Sequence, residues 1–155
     1  MTRSVFLALC VMVTACATVG KLAARANTGY DGALASRLGA DERGMKMYVL
    51  VILRTGPTTV PEAVSSELFR GHMANIQRLA NEGKLVVAGP FEDNPSHYEG
   101  IFVFNVATID EAKALLATDP AVARGALAYE AYGWYGSAAM QEIPALHARI
   151  DKTRH

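Results

Sequence analysis

A histidine on the apolar face of a predicted helix is the residue best suited to proton transfer in this chain. His72 falls between Leu68 and Ile76 in a stripe at helical spacing. A neutral imidazole beside a carboxylate can take and return a proton near neutral pH, which is general acid/base chemistry. The alternative interpretation is a core histidine bonded to a backbone carbonyl, because many histidines with unusual surroundings are structural.

Asp119 is the second candidate, since a carboxylate can orient an imidazole and stabilise its charged form. It stands directly before Pro120. That pair also predicts an N-cap, in which the carboxylate accepts backbone N–H bonds at the start of a helical turn. The two roles are compatible, and the spacing in sequence does not by itself bring Asp119 to His72.

Several further positions are candidates for substrate binding. Gly89 could let a ligand approach the backbone closely, although Gly89 and Pro90 together most simply end a strand. Arg54 and Arg70 could hold an anionic substrate, although a solvated surface position is the simpler interpretation for each. Four aromatic residues late in the chain could wall a pocket, but aromatics in a strand usually pack in a core or a dimer face. They are Tyr129, Tyr132, Trp134 and Tyr135.

Composition and missing motifs exclude several classes of function. The 15 Lys and Arg residues balance the 15 Asp and Glu residues, so no broad positive field favours nucleic acid as a partner. The four histidines are scattered, and no Cys follows Cys16, which argues against a metal site, a disulfide or cysteine catalysis in the folded part. No GxGxxG, Walker or GxSxG element occurs, and we expect no cofactor.

Four strands and two helices must position these residues. Strands are predicted at 45–54, 84–88, 99–106 and 126–135, and helices from about 61 to 82 and from 108 to about 117, followed by a turn over 119–125. Thr108 and Glu111 have capping-box spacing. The order β-α-β-β-α-β predicts an α+β, ferredoxin-like antiparallel sheet with both helices on one face. The inner strands are apolar on both faces, so a second copy of the chain is the simplest cover for the other face.

The first residues predict export. Residues 1–15 have a positive start and an apolar run too short to span a bilayer permanently, as in a signal peptide. Residues 13–16 (VTAC) resemble a lipobox, which would make Cys16 the lipidated N-terminus. Cleavage without lipidation and an uncleaved anchor are the alternatives. Ala17 after the cysteine favours the outer membrane, with the protein facing the periplasm.

The rest of the chain divides into three predicted segments. Residues 16–44 carry no sustained period and suit a flexible tether, and residues 45–136 form the domain. Residues 137–155 form a tail that either folds over an edge or extends into solvent. No part of this tail is an obvious cover for the helix-free face.

Two stretches of the domain resemble the YCII-related family. They are 71–76 (GHMANI) continuing to 82–90 (EGKLVVAGP), and 119–122 (DPAV) followed by Gly125. The resemblance implies a ferredoxin-like fold that pairs into a dimeric α+β barrel. It also implies a His/Asp centre, whose members fall on His72 and Asp119, and acid/base elimination as a chemistry that the scaffold can support.

The leading hypothesis is therefore a small homodimeric enzyme, lyase or isomerase-like, acting on a small polar or aromatic compound without a cofactor. In it His72 moves a proton and Asp119 orients the imidazole. The alternative is a non-catalytic envelope module that binds a ligand or a partner protein with the same fold.

Overall fold

A computed structural model describes residues 29–153, and residues 31–153 belong to one compact unit. Its helices are α1 (Gly32–Arg37), α2 (Glu62–Asn81), α3 (Ile109–Leu116), α4 (Pro120–Ala123) and α5 (Ile143–Ile150), with a 3₁₀ helix at Ala138–Glu142. Its strands are β1 (Met45–Thr55), β2 (Leu85–Pro90), β3 (Tyr98–Phe104) and β4 (Leu127–Ser137). The export signal and Cys16 lie outside the described residues. None of the helices within residues 29–153 is long and apolar enough to cross a membrane.

The four strands form one antiparallel sheet in the order β2-β3-β1-β4. Its two central strands are the ones that the sequence marked as apolar on both faces. Val51 of β1 lies between Phe102 of β3 and Ala131 of β4. The strand order and the intervening helices confirm the predicted α+β, ferredoxin-like fold.

The helices α2 and α3 cover one face of the sheet. On this face Val49 and Val51 pack with Phe102 and Phe104, against Leu79 of α2. Ala112 and Leu116 of α3 complete the cluster. Burial of each large side chain is worth about 1.5–3 kcal/mol, so this face holds the helices firmly in place.

The ends of the helices follow the predicted capping chemistry. In α3 the Thr108 hydroxyl accepts from the Glu111 N–H at 3.3 Å, and the Thr108 N–H donates to the Glu111 carboxylate at 3.0 Å. The α2 helix ends before Gly83, whose φ of 68° is a left-handed conformation that favours glycine. Gly89 and Pro90 are the last two residues of β2, which therefore ends two residues later than predicted, since Pro90 still pairs with Gly100.

The C-terminal segment covers part of the helix-free face. Tyr48, Val86 and Val103 are buried there, with Met140 of the 3₁₀ helix packed against them. The Tyr48 hydroxyl donates to the Ser137 carbonyl at 3.1 Å. Of the two arrangements left open for the tail, the structure therefore has it folded back on the sheet, where it covers part of a face for which the sequence offered no obvious cover.

Residues 31–44, predicted as tether, are folded. Asp31 caps α1 by accepting from the Leu34 N–H at 2.9 Å, and Leu38 is buried. The Asp41 carboxylate accepts from the Met45 N–H at 3.0 Å and so fixes the entry into β1. A helix of six residues is too short to produce a period in the sequence, which is why the pattern looked irregular.

Candidate functional site

His72 and Asp119 lie in direct contact. His72 is carried on α2, and Asp119 stands at the turn between α3 and α4. The imidazole Nδ1 and the carboxylate Oδ2 are 2.7 Å apart. The side chain of His72 is 14% exposed and that of Asp119 is 0% exposed, so solvent reaches the pair only through the imidazole.

Each oxygen of the Asp119 carboxylate has its own partner. Oδ2 faces His72, while Oδ1 accepts from the Ala121 N–H at 2.9 Å as the N-cap of α4. Burial by itself raises the pKa of Asp119. The hydrogen bond and positive charge of His72, together with the backbone N–H groups of Ala121 and Val122, outweigh burial and hold this pKa below its ordinary value.

This arrangement determines which nitrogen of His72 can act as a base. An ionised carboxylate only accepts hydrogen bonds, so the Nδ1 facing Asp119 must carry the proton. In the neutral ring Nε2 then holds the free lone pair. The pair can therefore accept a proton at Nε2, while Asp119 stabilises the imidazolium that results.

Close packing around His72 limits its movement. The Phe102 ring lies on the imidazole, with 5.9 Å between ring centroids and 25° between the planes. One residue earlier, Gly71 faces Pro120 so closely that a Cβ at Gly71 would lie 2.6 Å from Pro120 Cγ. The glycine thus allows α4, and the Asp119 that caps it, to approach α2.

A polar network beside the pair ties the same two segments together. Arg78 Nη2 donates to Asn75 Oδ1 at 2.7 Å and to Thr118 Oγ1 at 2.9 Å. Asn75 is buried on α2, one turn after His72, and Thr118 immediately precedes Asp119. Sequence analysis missed these residues, although the spacing of Asn75 from His72 places both on neighbouring positions of one helix face.

The other predicted binding residues are not all near the pair. Gly89 and Pro90 line a cavity of about 380 Å³ that Phe102 also lines. Arg54 lies in β1 on the helix-free face of the sheet and forms an ion pair with Glu130. Arg70 is exposed beside a separate hollow between α2 and α4. Gly89 and Pro90 thus share a cavity with Phe102, which stacks on His72, whereas Arg70 shares its hollow with Gly71 and Pro120, the chain neighbours of His72 and Asp119.

The β4 aromatics divide between the two faces of the sheet. Tyr129 packs against the core, whereas Tyr132 and Trp134 lie on the helix-free face and are 49% and 37% exposed. Tyr135 is exposed and donates to the Asp41 carboxylate. Within residues 29–153 no group of three or more His, Cys, Asp or Glu side chains is placed to hold a metal ion.

Comparison with known proteins identifies one family and several similar solved structures. Residues 47–134 match the YCII-related domain, which confirms the resemblance predicted from the helix, AGP and DP landmarks. No curated protein matches the sequence. Among solved structures, 5-chloro-2-hydroxyhydroquinone dehydrochlorinase from Burkholderia phenoliruptrix AC1100, in complex with 2,5-dihydroxybenzoquinone, is 19% identical, with a TM-score of 0.39. The alignment covers 56% of this chain and 92% of the dehydrochlorinase.

Proposed function

The chain belongs to the YCII-related domain family, and from this premise we propose that it is a small-molecule enzyme whose reaction is a proton transfer by His72. Nε2 removes a proton from the substrate, and Asp119 stabilises the imidazolium. The imidazolium then returns the proton either to another atom of the same compound, as in an isomerase, or to a departing group, as in a lyase. No step requires a cofactor.

One observation carries this proposal. The 2.7 Å contact between Nδ1 and Oδ2 has the length of a charge-assisted hydrogen bond. It leaves Nε2 as the nitrogen that can take a proton. A buried carboxylate whose pKa is held low, joined to an imidazole that solvent can still reach, is an arrangement suited to general acid/base catalysis.

The proposal is tested by turnover in purified full-length protein with a panel of phenols, lactones, halogenated acids and 2,5-dihydroxybenzoquinone. We expect wild-type turnover of at least one compound, and a loss of roughly 100-fold or more in His72→Asn and in Asp119→Asn. His97→Asn is the matched control, since His97 lies in an exposed loop with a φ of 53° that Asn also adopts. Circular dichroism checks the fold of each variant.

A non-catalytic ligand-binding module is the second candidate. The low exposure of His72, 14% of its side chain, favours it, because an imidazole held between a carboxylate and a phenyl ring also fulfils a structural role. Ligand retention without turnover in wild type, unchanged in both variants, would support the module and overturn the enzyme.

We also propose a location and an assembly. The lipobox-like residues 13–16 support export and lipidation at Cys16, which would hold the protein at the periplasmic side of the outer membrane. Membrane fractionation should find wild type in the outer membrane and Cys16→Ser released from it.

The apolar helix-free face supports a homodimer, as in an α+β barrel.

A further inference from the structure

We propose that the outer edge of β2 binds an extended segment of a partner protein, which adds a fifth strand to the four-stranded sheet. β2 lies at one end of the strand order, and within residues 29–153 it pairs with β3 alone. All six residues of β2 line a cavity of about 380 Å³ to which α2 and α5 also contribute. The edge therefore opens into a cleft between two helices. Such binding is independent of proton transfer by His72.

Two contacts show which backbone groups of β2 point towards β3. The Phe91 N–H donates to the Glu99 carbonyl at 3.0 Å. The Gly89 carbonyl also faces β3, since a Cβ on Gly100 would lie 2.6 Å from it. Backbone groups alternate in direction along an antiparallel strand. The N–H and the carbonyl of Ala88 therefore point away from β3 and towards the open edge.

Ala88 is the residue of β2 that offers both backbone groups to a partner. It is exposed, and in the part of the chain that the structure describes no loop or side chain bonds to its N–H or carbonyl. Pro90 is exposed too, but it has no N–H and offers its carbonyl alone. Leu85 and Val86 are buried, so the start of the strand is closed. The open part of the edge thus suits a short extended segment.

The walls of the cavity favour a single segment over a second copy of the chain. Met73 and Ile76 of α2, together with Ile143 of α5, supply apolar surface for alternate side chains of an added strand. In a second copy β2 is flanked by its own α2 and α5, so four helices would crowd one cleft. A segment without flanking helices meets no such obstacle.

Amide hydrogen exchange in the full-length protein tests the proposal, with the acetylated and amidated peptide KTVTVTK as the probe. Its valines and threonines favour an extended chain. At saturating peptide, exchange of the Ala88 N–H should slow by roughly tenfold or more, because it gains a hydrogen-bond partner. The Gly89 N–H, which already faces β3, should change by less than about twofold. No binding at millimolar peptide, or bound peptide with unchanged exchange at Ala88, would overturn the proposal.

Ala88→Pro removes an N–H that points away from β3, a position where a strand tolerates proline. It should weaken binding of the peptide by roughly tenfold or more, because the proline ring also blocks the approach of a strand. Ala88→Ser is the matched control, since it keeps the N–H and should bind within about twofold of wild type. Equal binding by the two variants would contradict strand addition at this edge.

Ile143→Asp covers the case in which Ala88→Pro fails to fold. A carboxylate on the apolar wall should weaken binding by roughly tenfold or more. Leu146→Asp makes the same change outside the cavity lining, where Leu146 is 53% exposed, and should leave binding within about twofold. Equal loss in both α5 variants would overturn the proposal. Self-association that Ala88→Pro alone abolishes, measured by sedimentation velocity, would show that a second copy occupies the edge instead.

Discussion

At the scale of single residues, the chemistry depends on the two oxygens of the Asp119 carboxylate having different hydrogen-bond partners. Oδ1 is bound to the Ala121 N–H, and Oδ2 is bound to His72. The backbone contact requires an acceptor, so the side chain cannot rotate without losing its cap. The same carboxylate therefore holds α4 and fixes the tautomer of His72.

The separate contacts of Oδ1 and Oδ2 predict the effect of Asp119→Asn on the His72 imidazole. The Asn oxygen must stay on the Ala121 N–H, which turns its NH₂ group towards Nδ1 of His72. Nδ1 then becomes an acceptor, and the proton moves to Nε2, where it blocks the base. The measurement is the ¹⁵N-histidine NMR spectrum near pH 8. We expect the Nδ1 resonance of His72 to change from that of a protonated to that of an unprotonated nitrogen, and the Nε2 resonance to change in the opposite sense. The His97 resonances are the control, and an unchanged His72 tautomer would contradict the argument.

The lowered pKa of Asp119 predicts how stability depends on pH. Its folded-state pKa lies below the ordinary value of 3.8. The interactions of the carboxylate therefore stabilise the fold fully above about pH 4, and this stability is lost as pH falls through the folded-state pKa. We expect Asp119→Asn to cost about 1–3 kcal/mol at pH 7, because it removes a charged hydrogen bond but keeps the cap.

Urea unfolding from pH 7 down to pH 2.5 measures this difference. The wild-type and Asp119→Asn curves should begin to converge below about pH 4 and should meet once pH falls below the folded-state pKa of Asp119, where the side chain at position 119 is neutral in both proteins. Asp93→Asn, in an exposed loop, controls for the loss of one negative charge. A difference that stays constant over the whole range would show that the carboxylate does not titrate as proposed.

At the scale of elements, the pair exists because α2 and α4 approach closely at one glycine. Gly71→Ala would place its Cβ 2.6 Å from Pro120 Cγ, and a proline ring cannot swing aside. Overcrowding costs about 1–3 kcal/mol, and the gain in helix propensity returns about 1 kcal/mol, so we expect a small net loss of stability. Turnover should fall by roughly tenfold to 100-fold, since displacing α4 shifts Asp119 relative to His72.

Ser66→Ala is the matched control for Gly71→Ala. Ser66 is exposed on the same helix, so its replacement changes helix propensity without crowding a neighbour. Thermal unfolding and turnover are measured for both variants. Full activity in a folded Gly71→Ala protein would show that the pair tolerates a displaced α4.

The sequence was most informative where local chemistry and tertiary structure agree. The His72 stripe and the Thr108 capping box are periodic or local signals, and both appear at the predicted positions. The Asn75–Thr118 contact joins segments 43 residues apart, and no local pattern encodes it. The α5 helix was missed because its large apolar residues, Leu146 and Ile150, face outwards, so its pattern does not mark a core-facing helix.

At the scale of the whole molecule, residues 29–153, which the structure describes, leave part of the sheet uncovered. The 3₁₀ helix covers Tyr48 of β1 and Val103 of β3, but Leu50 and Ile52, further along β1, remain partly exposed. Tyr132 pairs with Leu50 in the sheet and is 49% exposed. Adjacent apolar side chains on one face are rarely left to water, which supports pairing with a second copy.

That pairing predicts a homodimer that depends on the helix-free face. A dimer formed by equivalent faces brings each substitution into the interface twice, so one charged residue should have a large effect. Tyr132→Arg should weaken association by roughly tenfold or more, because an arginine at the centre of an apolar interface loses its hydration. Phe69→Arg is the matched control, since Phe69 is 63% exposed on α2, the helix on the opposite face.

Sedimentation velocity over a range of protein concentrations distinguishes the outcomes. We expect wild type and Phe69→Arg to sediment as dimers and Tyr132→Arg to dissociate on dilution, with circular dichroism unchanged in all three. A monomeric wild type, or equal dissociation of the two variants, would contradict a dimer through this face. The His72–Asp119 contact lies within one chain, so its tautomer should survive in the monomeric variant, which separates loss of assembly from loss of the pair.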